Sequence, residues 1–426
     1  MEPQAYWAIA VFLVTCGLIV SEKIHRTIVA MIGAALMVAA GIVDQETAIR
    51  HIDFNTLGLL IGMMIIVGAT AETGLFNYIA IAAAQRVKGS PMKILLALFL
   101  LTAAGSAFLD NVTTVLLMVP VTLSITRRLR VSPMPFLLTQ IAASNIGGTA
   151  TLIGDPPNIM IGSAVEELDF NAFIVNLGPI VLLILAVFAG LFALMFRKSL
   201  RTTEEAVREL METDARRMIT DPKLLRQSLI VLGFTILGFF AHPLVHLESA
   251  TVALAGAFVL LLLTGEHAME RALGQVEWTT IFFFVGLFVL VSGLVETGVI
   301  SELASKAIEW TDGDPVATSL LILWLSAIAS AFLDNIPFVA TMIPMIQEIG
   351  ALGYGDLEPL WWSLALGACL GGNGALIGAS ANLIVAGLAA KEGCPITFMR
   401  YLKFGFPLML LSIALSSVYI FLRYLA

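Results

Sequence analysis

Two fifteen-residue stretches, SAFLDNVTTVLLMVP at 106–120 and SAFLDNIPFVATMIP at 330–344, each set an Asp-Asn pair inside an apolar run, and nine of the fifteen positions agree. In hydrocarbon such a pair would cost about 3 kcal/mol by insertion scales unless it lined a cavity or packed against protein. A helical hairpin that turns at Asp110-Asn111, or at Asp334-Asn335, removes the problem: one half-helix descends, and a second, capped by the asparagine, returns to the same face. A carboxylate held in low dielectric exchanges protons with conformation, so Asp110 and Asp334 are the foremost candidates for proton or sodium coupling.

A second pair of interruptions follows at the same spacing, NIGGTATLIGDPPNIMIGS at 145–163 and CLGGNGALIGASANLIVAG at 369–387. Each reads as a broken helix. Asp155 before Pro156 fits an N-cap followed by proline at the first helical position, and Ser380 is expected to take the cap in the other copy. Gly147, Gly148, Gly371 and Gly372 let backbone approach a ligand or the facing hairpin, or else pack helices closely. Asn158 and Asn382 are placed to carry amides into the same cavity, and Asp155 is a third coupling candidate.

The elements that must hold these residues are membrane spans. Apolar residues make up 59% of the 426 positions and charged residues only 13%, outside the range of soluble domains. Apolar runs long enough to cross about 30 Å of hydrocarbon recur along the chain. The fold class expected is therefore an all-α polytopic membrane protein. At an offset of 224 residues the landmarks superimpose without a gap: Glu72-Thr73-Gly74 on Glu296-Thr297-Gly298, Gly147-Gly148 on Gly371-Gly372, and Asn158 on Asn382. The chain divides into repeats at 1–196 and 228–426, joined by a charged linker at 197–227.

With the linker cytoplasmic and five crossings plus one hairpin per half, 20 of the 23 Lys and Arg lie inside, and both termini lie outside. An odd number of crossings inverts one half relative to the other, the arrangement of many alternating-access carriers. The copies also differ. Thr113 faces Pro337, Thr149 faces Asn373, Asn145 faces Cys369 and Asp155 faces Ala379, so the cavity is expected to be more acidic in one half.

Other chemistry is not indicated. The three cysteines are too scattered for a disulfide or zinc framework, and the first residues lack the basic region of a signal peptide. No P-loop occurs, no cofactor or metal is expected, and a net charge of −8 suggests no nucleic-acid partner. All five histidines, His25, His51, His242, His246 and His267, thread to loops or span ends. Glu72 and Glu296 close their spans near the interfaces and are read as structural.

The FLDN tips, the GGTATLIGDPPN break and the inverted halves resemble the ion transporter superfamily, specifically the arsenite permease and pink-eyed-dilution P protein branch, related to sodium/proton antiporters and citrate and dicarboxylate carriers. The resemblance covers essentially the whole chain. It implies a transport site built from Asp110, Asn111, Thr113, Thr149, Asp155, Asn158, Asp334, Asn335, Asn373, Ser380 and Asn382, and not an enzyme. It also implies an associated cytoplasmic ATPase, for which the basic linker would be the dock. Dicarboxylate carriers place neutral Ser-Asn-Thr tips where this chain has Asp-Asn. Two carboxylates would repel a polyanion in a desolvated site but tolerate a neutral solute or a cation. The reading is proton-coupled efflux of arsenite or antimonite across the plasma (inner) membrane. Sodium/proton exchange is the alternative, with an organic-anion carrier or an ion channel ranked below both.

Overall fold

The computed structural model describes residues 3–21, 23–198, 200–245 and 247–426, and every regular element among them is helical. The first half contains α1 (Pro3–Ser21), α2 (Arg26–Ala39), α3 (Gln45–Arg50), α4 (Phe54–Glu72), α5 (Leu75–Arg86), α6 (Pro91–Phe108), α7 (Asn111–Arg128), α8 (Met134–Gly148), α9 (Pro156–Ala164) and α10 (Phe170–Phe196). After α11 (Glu204–Met211) and a short 3-10 turn come α12 (Pro222–Val245), α13 (Ser249–Thr264), α14 (Glu266–Gly274), α15 (Trp278–Glu296) and α16 (Val299–Trp310). The chain continues through α17 (Pro315–Phe332), α18 (Asn335–Ala351), α19 (Glu358–Gly371), α20 (Ser380–Lys391) and α21 (Phe398–Ile420). Within a few residues, α1–α10 recur as α12–α21 at the 224-residue offset. Among the described residues eight helices are long and apolar enough to cross a membrane, and they form four counterpart pairs: α1 with α12, α4 with α15, α6 with α17, and α10 with α21.

The halves interlock. Helix α4 packs on α13 and α2 on α15, each pair crossing from one half to the other. Small residues allow this closeness: a Cβ on Gly62 would lie 2.6 Å from the Ala253 backbone carbon, and one on Gly286 would lie 2.8 Å from that of Ala30. At the ends of these helices a reciprocal pair of contacts joins the halves. Gln275 donates to Glu72 at 2.8 Å, and His51 lies 3.7 Å from Glu296, its counterpart. His246 lies outside the described residues, as do the side chains of His242 and His267.

Both Asp-Asn stretches are hairpins. The start of α6 and the end of α7 reach the same linker: Gly89 packs on Val207, Arg130 pairs with Glu205 at 3.5 Å, and Arg128 donates to Thr213 at 2.8 Å. Likewise the start of α17 and the end of α18 share one surface hollow, lined by Asp314, Pro315, Gly353 and Tyr354. The arms are longer than the expected half-helices. At 18 residues each, α6 and α7 extend about 27 Å. Their outer turns, with Lys93, Arg127 and Arg128, carry the charge that an entirely sunken helix could not.

The linker is ordered over its described residues. Thr220 donates its N–H to Thr73 O and its hydroxyl to Glu72 O, closing the end of α4. Gly74 follows at φ +78°, and Met218 O would lie 1.8 Å from a Cβ there, so the Thr-Gly step must end in glycine. Helix α12 already begins at Pro222, within the stretch first assigned to the linker.

Candidate functional site

Local chemistry decides how each hairpin turns. Asp110, rather than the expected Asn111, is the N-cap of α7: one carboxylate oxygen accepts from the Thr113 N–H at 2.9 Å, and the other accepts from the Thr113 hydroxyl. Aspartate and asparagine are both good caps, and the extended backbone falls at Asp110 (φ −60°, ψ 154°), which leaves Asn111 as the first helical residue.

The second tip differs for a physical reason. Residue 337 is proline and has no N–H to offer, so Asp334 caps through the Ile336 N–H at 3.2 Å. Its other oxygen is then free for Arg26, which binds it at 2.7 Å from the start of α2, and for Ser380, whose hydroxyl lies 3.3 Å away. Arg26 also donates to Ser380 and stacks its guanidinium 4.9 Å above the Phe283 ring of α15. Ser380 is the first residue of α20, not its cap; Ala379 holds that position, in extended conformation. Arg26, which in the sequence is simply a basic residue between two spans, is thus part of the cluster at this tip. A cavity of about 300 Å³, lined by His25, Arg26, Phe332, Asp334, Ser380 and Ile384, opens onto it.

The broken helices cross between the tips. In the gap after α8, the Asn158 amide donates to Gly148 O, Thr149 O and Thr151 O at 3.3, 3.2 and 2.9 Å. In the gap after α19, the Asn382 amide donates to Gly372 O at 2.7 Å and Ala375 O at 3.0 Å. Breaking a helix strips carbonyls of their partners, and each asparagine supplies replacements. Its remaining oxygen faces the other half. Asn145 donates to Asn382 Oδ1 and to Asn373 Oδ1, both at 3.0 Å, while its counterpart Cys369 directs its thiol to Asn158 Oδ1 at 3.4 Å. Asn111 approaches Asn145 at 3.5 Å, and the Thr149 hydroxyl returns to the Asn145 carbonyl at 2.7 Å. Asn145, absent from the expected set, is the hub.

Asp155 occupies the N-cap position of α9 but makes no capping bond with its side chain. One oxygen instead accepts from Asn335 of the second tip at 3.3 Å. The other is fully buried with no partner beyond the Cys369 thiol beside the carboxyl, and both Asp110 and Asp334 are near enough to act on it through space. Asn373 likewise keeps its amide nitrogen buried without an acceptor.

All four glycines sit at close backbone contacts. A Cβ on Gly147 would lie 2.1 Å from Ala103 O, and one on Gly371 would lie 2.6 Å from Ala327 O, so both serve the approach of the hairpin arm in their own half. Gly148 and Gly372 sit against Gly154 O and Gly378 O across the breaks. Ser106 donates to Ser144 O, and its counterpart Ser330 to Ala368 O, each at 2.6 Å, fixing arm to broken helix. The returning arms then cross over: α7 packs on α20, and α18 on α9.

Comparison with known proteins agrees with this architecture. The family model described as the citrate transporter CitMHS matches residues 16–367. The chain belongs to that family. Among relatives of this CitMHS chain, the 46 kDa membrane protein of Mycobacterium leprae (strain TN) is 42% identical over 426 residues, covering 98% of both chains. An uncharacterized transporter of Mycobacterium tuberculosis (strain CDC 1551 / Oshkosh) is 43% identical over 425 residues, with the same coverage. The P protein of Mus musculus is 36% identical over 507 residues, spanning all of this chain and 61% of the P protein, in keeping with the branch indicated by the motifs. In fold the chain is similar to the YdaH transporter of Alcanivorax borkumensis, with a TM-score of 0.61 over 98% of each chain at 15% identity. The chain is a multi-pass membrane transporter of the ion transporter superfamily, not an enzyme.

Proposed function

We propose that this CitMHS-family transporter is a proton-coupled exporter of a small neutral hydroxide, with trivalent arsenic or antimony hydroxide as its substrate, working by alternating access between inverted halves at 1–196 and 228–426. The linker at 197–227 lies on the cytoplasmic side, both termini lie outside, and the membrane is the plasma membrane. The observation that carries the reading is the buried Asp155 carboxyl, one oxygen of which has no partner beyond the neighbouring Cys369 thiol, within reach of the field of two further carboxylates. A carboxyl in that position gains a partner when it takes up a proton or a cation.

Charge argues against a polyanion. Among the described residues whose contacts build the site, Arg26 is the cation, and it is already bonded to Asp334, which leaves Asp110 and Asp155 to face any bound anion. A neutral polyhydroxide meets amides, hydroxyls and freed carbonyls instead. The same oxygen-rich cluster favours sodium/proton exchange as the second reading, since carboxylate and amide oxygens suit a hard cation.

Purified protein in liposomes carrying an internal pH indicator tests this. Arsenite or antimonite, but neither sodium nor citrate, should set off proton movement. Movement triggered by sodium alone would establish the exchanger in its place, and movement triggered by citrate alone would establish an organic-anion carrier.

A further inference from the structure

The two hairpin tips carry the same Leu-Asp-Asn triplet, yet they are charged differently, and the difference lies outside the hairpins. Arg26 reaches Asp334 from α2 at 2.7 Å, and Ser380, which bonds both, supports the contact from α20. At the 224-residue offset the counterpart of Arg26 is Ala250, and that of Ser380 is Pro156. Neither can reproduce the contact at Asp110. There, Thr113 satisfies the carboxylate locally, and its counterpart Pro337 cannot do so at Asp334. Three pairs of positions therefore differ together, leaving one tip carboxylate satisfied by its own helix and the other held also by a cation from the opposite half.

We infer that Arg26 is a positioning residue that occupies the second tip as a tethered cation, so that an exchangeable proton or sodium ion reaches Asp334 only when Arg26 is removed. The guanidinium is held for this task. Phe283 lies beneath it, Asp334 and Ser380 take its donors, and its side chain is about one-quarter exposed, open to the 300 Å³ cavity. Exchangeable cations are then confined to Asp110 and Asp155, and the transport cycle is asymmetric although the fold is duplicated. The inference rests on the carboxylates of this site being the cation-coupling groups of the proposed transporter. Other titratable groups facing this place are His25, next to Arg26 on the cavity wall, and Glu277 at the start of α15, close enough to feel both Arg26 and Asp110.

The test needs no substrate, so a failure of arsenite transport leaves it readable. The full chain, in lipid nanodiscs, is unfolded thermally at pH 8 and pH 5 in choline chloride and in sodium chloride at equal ionic strength. Arg26→Gln leaves Asp334 without its cation, and its unfolding midpoint should fall below wild type at pH 8 in choline. At least half of that gap should close at pH 5 or in sodium. Arg26→Lys should retain most of the wild-type midpoint, and R26Q/D334N should show no cation-dependent recovery. A gap identical in all four solutions would reduce Arg26 to packing on Phe283. Recovery that persists in R26Q/D334N would place the responsive carboxylate elsewhere, at Glu277 or Asp110, and overturn the assignment. If R26Q cannot be purified, purification of R26Q/D334N alone supports the inference, and loss of both variants refutes it.

Discussion

Replacing Gly147 by alanine tests whether the broken helix and the hairpin arm form one rigid unit. A methyl at this position would sit 2.1 Å from Ala103 O, 2.6 Å from its Cα and 2.7 Å from its carbonyl carbon. Carbon and carbonyl oxygen ordinarily touch at about 3.3 Å, so the α6 backbone must retreat by roughly 1.2 Å. No rotamer relieves the clash, because both partners are backbone. Overpacking of this kind costs about 1–3 kcal/mol, and here the hydroxyl bond from Ser106 to Ser144 O would stretch as well. Gly190, inside α10 with no atom near its virtual Cβ, is the control: alanine there should be neutral or stabilising by up to about 1 kcal/mol. Denaturant unfolding in detergent micelles, followed by tryptophan fluorescence, should rank Gly147→Ala below wild type and Gly190→Ala at or above it. Transport should fall in the first variant only. Equal stability of the two variants would mean that α6 and α8 are not in contact as described, and the packing argument for the hairpins would be wrong.

Other outcomes follow from the same geometry. Asn382→Ala removes two bonds to freed carbonyls and the acceptor of Asn145, and should destabilise the protein by roughly 2–4 kcal/mol; Asn382→Asp keeps the acceptor but loses both donors and sets an oxygen against the same carbonyls, and should unfold at least as easily, as denaturant titrations of the two variants side by side would show. Gly74→Ala must cost more than Gly298→Ala: both glycines have positive φ, worth about 1 kcal/mol, but only Gly74 also meets Met218 O, and differential scanning of the two variants reads the difference. Maleimide should label Cys394 and leave the fully buried Cys369 untouched in native protein. Burial and then Glu392 push the Cys394 thiol above its ordinary value, so its labelling rate should keep rising with pH beyond the point where a free cysteine levels off, as mass spectrometry of labelled peptides would show.

Much of this architecture is legible in the chain itself, because a membrane protein punishes misplaced polarity. Asp-Asn in the middle of an apolar run, and Gly-Gly followed by Asp-Pro-Pro, have few structural solutions in hydrocarbon, and the hairpins and broken helices are those solutions. The repeat offset carries from motif to helix for the same reason. Register at the caps is finer than composition can fix: Asp110 and Asn111 are equally able to cap, and backbone angles decide. Arg26 stays hidden because a basic residue between two spans looks like a topology marker, and nothing nearby announces a partner 308 residues away. Asn145 is hidden too, as one of four polar side chains, with Thr139, Gln140 and Ser144, along a largely apolar helix. Its match with Cys369 suggests divergence, when in fact each reaches across to the equivalent asparagine of the opposite copy, Asn145 to Asn382 and Cys369 to Asn158.

That match bears on motion. An amide offers two strong donors and joins three segments at once, whereas a thiol offers one weak donor to a single acceptor. The interruption at residues 372–379 is therefore held from outside by one shared amide with both bonds at 3.0 Å, whereas its twin at 149–155 is held by two separate and longer contacts, from Cys369 to Asn158 and from Asn335 to Asp155, and is the looser clasp. Whatever rearrangement carries cargo across should begin at the looser clasp, giving a duplicated machine a leading and a trailing gate.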